Sequence, residues 1–292
     1  MKDTRIDRRL FLRGIGGVTA GAAAATALSA CGTGTSRSAR GSGKGGGKTV
    51  VVRDSGGSYG AALQKAIYTP FAQETGISVK VLNLGNAPLL AQIKQGRPQC
   101  DLINDAMVSH TKYVKQDALD LDRLKSVKSA QIPENQITQH AIGHSYYGQC
   151  IAYRWDSGPL PGVLLSRQEV TMSTVWDGRI ADLQKQGVPV ERQLNGMRRQ
   201  FSGYAIAKGA ANVDNAYKFM DFALRAESQA APAKAFPSNP SSPLAYAKLS
   251  EDERNALAGA PKYYDKGFDR DVDWWLKNES AVTKRWLEWA RG

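Results

Sequence analysis

A β-branched run, a glycine-rich loop and an amphipathic stretch in direct succession constrain this chain more than any other feature. In TVVVRDSGGSYGAALQKAIYTPFAQETGISVKV, Val50–Val52 reads as a short buried strand. It runs into Asp54-Ser55-Gly56-Gly57-Ser58, where glycine permits positive φ and close approach of a ligand to the backbone. The spacing predicts a helix opening near Tyr59, N-capped by Ser58, with an apolar stripe at Ala62, Ala66 and Ile67 and a stop at Gly76. Ile77, Val79 and Val81 then alternate as a second strand. The result is a βαβ unit, which sets an α/β class and places a polar loop where open α/β sheets bind ligands. An ordinary tight βα turn would read the same way.

Further along, Pro88 stands at the expected first position of a helix carrying Leu89, Leu90 and Ile93 and ending at Gly96. Asp101–Asn104 reads as a third strand feeding a second loop from Asp105, the acid best placed to face a ligand or to cap the next helix. Tyr146–Tyr153 and Glu169–Val175 read as strands, the latter entering the turn Trp176-Asp177-Gly178-Arg179. A helix to Gln186, a strand entry at Val190 and a strand over Phe201–Ala207 follow. Ala216, Phe219, Met220, Ala223 and Leu224 fall on one helical face and read as core. Near the end, Val282, Trp286 and Trp289 share a helical face, and those tryptophans are expected to pack.

Composition matters for what it excludes. The net charge of +12 suggests nucleic acid until it is located. Residues 1–48 carry nine Lys/Arg and two Asp, so over half of the excess lies ahead of the first strand, and no later basic block interleaves with aromatics. That leading segment has its own logic. Asp7-Arg8-Arg9-Leu10-Phe11-Leu12-Arg13 resembles a twin-arginine export motif, and Gly14–Ala30 is apolar but built of Gly and Ala. Leu28-Ser29-Ala30-Cys31 resembles a lipoprotein box with Cys31 as the lipidated residue. Residues 1–30 are therefore expected to be a signal peptide. Residues 31–48, rich in Gly with four basic residues, are expected to be a flexible tether beside the membrane.

Cys100 and Cys150 remain, and an extracytoplasmic setting permits but does not require a disulfide between them. His110, His140 and His144 form no metal or triad spacing, and Gly143 argues for a loop there. The tyrosine pairs 146–147 and 263–264 could serve iron binding but more simply serve packing. Neither catalysis, a metal nor a cofactor is expected.

Taken together, the leader, GGSYGAALQKAIYTPFAQETGI, YGQCIAY, VTMSTVWDGR, YAIAKGA…AYKFMDFAL and the WW…RWLEW tail are similar to spermidine/putrescine-type solute-binding proteins of bacterial ABC importers. The resemblance covers nearly all of 49–292. It implies a two-lobed periplasmic-binding-protein type II architecture, with lobe 1 at 49–153 continued by about 203–250 and lobe 2 at 154–202 continued by about 251–292. It implies a monomer that captures a small extracellular solute, polyamine-like by family, and delivers it to permease subunits. It also implies a lipid-anchored place in the periplasm or on the outer face of the membrane. The ligand set it implies is Ser55, Gly57, Ser58, Tyr59, Asp105, Trp176, Asp177, Arg179 and Ser202.

Two departures qualify that expectation. Arg179 stands where putrescine receptors carry an acid, and Ser202 stands where the next strand often carries one. An ammonium would meet a cation there, so a small carboxylate or other anionic solute is a rival ligand. Between Tyr153 and Val170 only a short stretch intervenes where the family has much of its second lobe; by usual domain sizes about 60–70 residues are absent. The second lobe is thus expected to be incomplete, either as a compact variant or as a deletion product that is a non-binding surface lipoprotein.

Overall fold

The computed structural model describes residues 47–54, 56–107, 119–154 and 172–291. The leader, Cys31, almost all of the tether, Ser55, His110 and the stretch 155–171 lie outside those residues. The compact body is Gly46–Leu276, and the chain from Lys277 belongs to a separate unit.

The opening βαβ unit is present. Strand β1 (Thr49–Arg53) buries Val50 and Val52 completely. Helix α1 (Gly57–Leu63) follows, then a π-helical stretch Gln64–Tyr68 and α2 (Thr69–Thr75), closed by Gly76 at φ 69°. Ser58 is not the N-cap: that place falls to Gly56, at φ 70° and ψ −150°, a conformation a side chain would strain, so the turn closes two residues earlier than a hydroxyl cap would place it. Strand β2 (Ser78–Leu82) pairs with β1 in parallel, and β3 (Leu102–Ala106) pairs parallel on the other side. Between them α3 (Asn86–Lys94) places Pro88 at its third residue rather than its first.

The remaining strands are longer than the sequence suggests. Strand β4 (Ile142–Arg154) begins ahead of Tyr146, so His144 lies in a strand and not in a loop. Its ring stacks on Tyr204 at 4.1 Å, and Nε2 sits 2.9 Å from Asn104 Oδ1. Strand β5 (Met172–Trp176) leads into α4 (Asp177–Lys185). Strand β6 (Val190–Ile206) runs seventeen residues where a strand over 201–207 and a mere entry at 190 are predicted. Its first half is polar, and Gly196 at φ 74° interrupts the alternation; the four residues 194–197 of β6 stand against Cys150 alone, between the pairs Gln149↔Arg198 and Ile151↔Gln193. Sheet order is β2-β1-β3-β6-β4-β5, with β7 (Asn239–Pro240) on β4 and β8 (Phe268–Asp269) on β6. The sheet is continuous, and only β4 and β6 are long enough among the described strands to run from one part of it to the other.

Helix α5 (Val213–Ala223) presents the predicted apolar face, and Phe219 packs on Tyr68, Phe71 and Tyr204. Helix α6 (Ala226–Ala235) follows. The last helix, α7 (Val272–Arg291), forms as expected; Trp274, Trp286 and Trp289 are 47, 57 and 56% exposed, and the tail tryptophans meet in the pairs Trp274–Trp275 and Trp286–Trp289, with ring centroids 5.2 and 4.9 Å apart. Cys100 and Cys150 are buried free thiols in separate apolar clusters, and burial pushes them up to about 11 and about 12. Among the described residues no helix is long and apolar enough to cross a membrane.

Candidate functional site

A cavity of about 350 Å³ lies where the parallel strands hand over to β6 and β4. Strand β3 ends against β6 at Ala106↔Ser202, and Ser202 in turn faces Ser145 on β4. The end of β1 brings Asp54, Gly56 and Gly57, and α1 brings Tyr59. Asn104, Asp105 and Ala106 come from β3, Ser145, Tyr146 and Tyr147 from β4, and Trp176, Gly178 and Arg179 from the β5–α4 junction. Phe236, Pro237 and Ser238, beyond α6, complete the lining.

The acidic side of the cavity is already engaged. Arg53, 5% exposed, donates Nη1 to Asp105 Oδ2 at 2.8 Å, Nη2 to Asn86 Oδ1 at 2.7 Å and Nε to the Leu84 carbonyl at 2.9 Å. Asp105 Oδ1 accepts from the Ala106 amide at 2.7 Å. Asp54, also buried, accepts from the Tyr68 hydroxyl at 2.6 Å and the Gly56 amide at 3.2 Å. Tyr59 shares a 2.9 Å hydrogen bond with Ser145 and tilts against Phe236, and its burial raises the phenol well above its ordinary range. These groups are held before any ligand arrives.

The other wall is aromatic and cationic. Trp176 meets Tyr147 edge-on, with ring centroids 4.5 Å apart. Gly178 lets this turn close, since a Cβ there would stand 2.9 Å from the Pro237 carbonyl oxygen. Arg179 reaches the same cavity, is exposed, and makes no ion pair among the described residues. Among the described residues every other charged lining group is paired or hydrogen-bonded, and Arg179 is the lining cation without an ion pair.

Of the residues expected from the sequence, Gly57, Tyr59, Asp105, Trp176, Arg179 and Ser202 surround this one cavity. Tyr59 and Trp176 come from opposite sides of the sheet, as β1 and β5 are separated by β3, β6 and β4. Ser58 is exposed and does not line it, and Ser55 lies outside the described residues. Asp177 departs most from expectation. It is 1% exposed and turned into the body, where Oδ1 accepts from the Gly148 amide at 2.8 Å and Oδ2 from Asn239 Nδ2 at 3.1 Å. Burial raises its carboxyl above the usual range, against the pull of Asn239, Gly148 and Arg192. Its role is to pin β4, β7 and α4 together. Likewise the Tyr146 hydroxyl is spent on the Gly259 carbonyl and Tyr246, which removes one member of the tyrosine pair as an iron ligand. Among the described residues no cluster of His, Cys, Asp and Glu could hold a metal ion.

Sequence reasoning missed Asp54, Asn104, Ser145 and the Phe236–Ser238 segment, and it weighed Tyr147 only as half of a tyrosine pair, not as part of this cavity. Asp54 had a signal, its place directly at the end of the first strand. Ser145 and Tyr147 had none, because they lie within a long strand and reach the cavity only through its crossing of the sheet.

Residues 145–257 match the family model described as bacterial extracellular solute-binding protein. A gamma-aminobutyric acid-binding protein of Pseudomonas aeruginosa is 29% identical over 136 residues, which is 47% of this chain and 39% of that protein. The chain thus aligns with well under half the length of that curated relative. Among solved structures, an ABC transporter substrate-binding protein from Bradyrhizobium japonicum superposes with a TM-score of 0.72 at 18% identity, covering 82% of this chain and 98% of that one. A GABA receptor gives 0.71 at 18%, covering 83% and 97%. The binding protein AgtB of A. tumefaciens, solved with agropinic acid, gives 0.69 at 20%, covering 84% and 99%. The fold is that of the periplasmic binding proteins: one open sheet dressed with helices, with the cavity at the strand crossing.

Proposed function

We propose that this chain is the substrate-binding component of an ABC-type importer, and that its cavity receives a small solute bearing a carboxylate. One observation carries the reading: Arg179, exposed and without an ion pair among the described residues, stands beside Trp176 at a cavity whose acids are already committed. A carboxylate gains charge-assisted hydrogen bonds from Arg179, whereas a polyamine would meet repulsion there and find Asp105 neutralised by Arg53. A solute that also carries an ammonium can set it against the faces of Tyr59, Phe236, Tyr147 and Trp176 by cation–π attraction. The names of the relatives, which bind gamma-aminobutyric acid and agropinic acid, support this charge pattern.

Calorimetric titration with GABA, succinate, putrescine and spermidine tests it. GABA or succinate binds saturably, and Arg179→Gln weakens that binding about 10–100-fold, the range for one charge-assisted contact. Tighter binding of putrescine, unaffected by Arg179→Gln, would restore the polyamine assignment. No saturable binding of any of the four would favour a surface lipoprotein without a receptor role. The leader supports twin-arginine export and lipidation at Cys31, with delivery of the solute to permease subunits as a monomer outside the cytoplasm. Cys31→Ser then releases the protein from the membrane fraction; retention would favour an uncleaved anchor.

A further inference from the structure

Behind the aromatic wall runs a chain of hydrogen bonds whose members beyond Tyr147 do not line the cavity. Gln200 on β6 lies directly opposite Tyr147 on β4 in the strand register and is buried. Its Nε2 is 2.9 Å from the Tyr147 hydroxyl, and its Oε1 is 2.8 Å from Nη1 of Arg270. Arg270 follows β8, donates its backbone amide to the Arg199 carbonyl at 2.9 Å, and lays its guanidinium over the Trp275 ring at 4.4 Å.

Donor and acceptor chemistry fixes the direction of this chain. A guanidinium has donors only, so the amide must turn its oxygen toward Arg270. The amide nitrogen, also donor only, then faces Tyr147, whose oxygen has to accept. The phenol's own proton is left for something else. Around it, Asp105 already accepts from Arg53 and from the Ala106 amide, and Ser202 hydrogen-bonds the same phenol through a hydroxyl that can donate as well as accept, so it does not fix the phenol's proton away from the cavity. We propose that Gln200 and Arg270 are positioning residues that present Tyr147 to the cavity as a hydrogen-bond donor, and that this polarity selects carboxylate-bearing solutes. The inference rests on the carboxylate reading above and deepens it. Arg179 supplies charge from one side of the turn, and Tyr147 supplies a directed proton from the strand beside it.

Replacing Gln200 by Glu keeps the pairing with Arg270 but offers Tyr147 an acceptor in place of a donor. The phenol then gives its proton backward and turns lone pairs to the cavity. With GABA as the probe, Gln200→Glu weakens binding about tenfold or more, while 4-aminobutanamide, whose amide can donate, changes by less than about twofold. Arg270→Met frees the amide to flip and lowers the same preference by a smaller factor. Equal losses for both probes would reduce Gln200 to a structural role and overturn the proposal. A ligand-free measurement separates this from the carboxylate reading. In the wild-type protein, side-chain amide protons assigned to Gln200 by their loss in Gln200→Leu show nuclear Overhauser contacts to the Tyr147 ring. Their absence means that the relay runs the other way and sinks the proposal, whatever the ligand. Their presence without GABA binding would sink the carboxylate reading alone.

Discussion

Among the described residues, the sheet around β1 and β3 is packed by a cluster of twenty-two buried residues, reaching from Val50 and Leu63 through Phe71 and Leu102 to Phe219 and Leu224. Around β5 and the first half of β6 the corresponding cluster, counted among the described residues, holds seven, among them Val175, Ile180, Leu194 and Met197. The first region buries whole aromatic side chains against one another, and each such residue contributes roughly 1.5–3 kcal/mol. The second relies on polar pins. Asp177 ties Gly148 to Asn239, and Asn239 Oδ1 accepts from the Gly259 amide. Arg199 donates to Asp269 at 2.6 Å. The difference teaches where stability and where recognition are located. The cavity hangs from the well-packed half at Asp54 and Asp105, while the aromatic wall and Arg179 belong to the half with the smaller core.

Hydrogen exchange gives the broadest test of that contrast. Amides of Val50–Val52 and Leu102–Ile103 exchange at least about 100-fold more slowly than those of Met172–Val175, as expected when the two halves open separately. Uniformly slow exchange across both would show that the second half is as firmly closed as the first. Next in size is Phe219→Ala, which empties the junction of Tyr68, Phe71 and Tyr204 and costs about 3–5 kcal/mol in denaturant unfolding. A loss under 1 kcal/mol would mean that the large cluster is not what holds the fold.

Asp177→Asn sharpens the polar side of the comparison. Gly148 still finds an acceptor, but the new amide nitrogen confronts the Asn239 nitrogen, whose own oxygen is engaged by Gly259. Unfolding should reveal a loss of about 1–3 kcal/mol, the cost of an unsatisfied buried donor. The pH dependence has a definite sign. The folded carboxyl sits above its ordinary value, so as pH rises from about 4 the unfolded chain ionises first. Stability from this group is full at lower pH and declines until the folded carboxyl ionises too. A rise over that window in the wild type relative to Asp177→Asn would contradict the burial argument. The smallest effect belongs to the exposed pair of Arg225 and Glu74 at 2.9 Å, where Arg225→Ala changes stability by about 0–1 kcal/mol, diminishing with salt.

Local pattern carried the fold a long way. The β-branched run at Val50–Val52, the stop at Gly76 and the 3.6-residue face of Ala216–Leu224 each impose their structure through neighbours in sequence, so they are legible without a partner. The polar first half of β6 was not legible. Val190–Gln200 is a strand because β4 pairs with it, and Gly196 breaks the alternation that would have announced it. The same holds within the site. Residues at strand ends, Tyr59, Asp105, Trp176 and Arg179, could be nominated because chain order alone places them at loops. Whether a carboxylate faces ligand or backbone depends on what stands across from it. For Asp105 that is Arg53, and for Asp177 it is Gly148 and Asn239. Sequence by itself determined the α/β class, the opening βαβ unit and the strand-end residues, because these follow from short-range periodicity and turn chemistry. Tertiary structure alone decided which charges are spent, that Ser145 and Tyr147 join the cavity, and that Gln200 lies behind Tyr147, because hydrogen bonds between distant strands have no local signature.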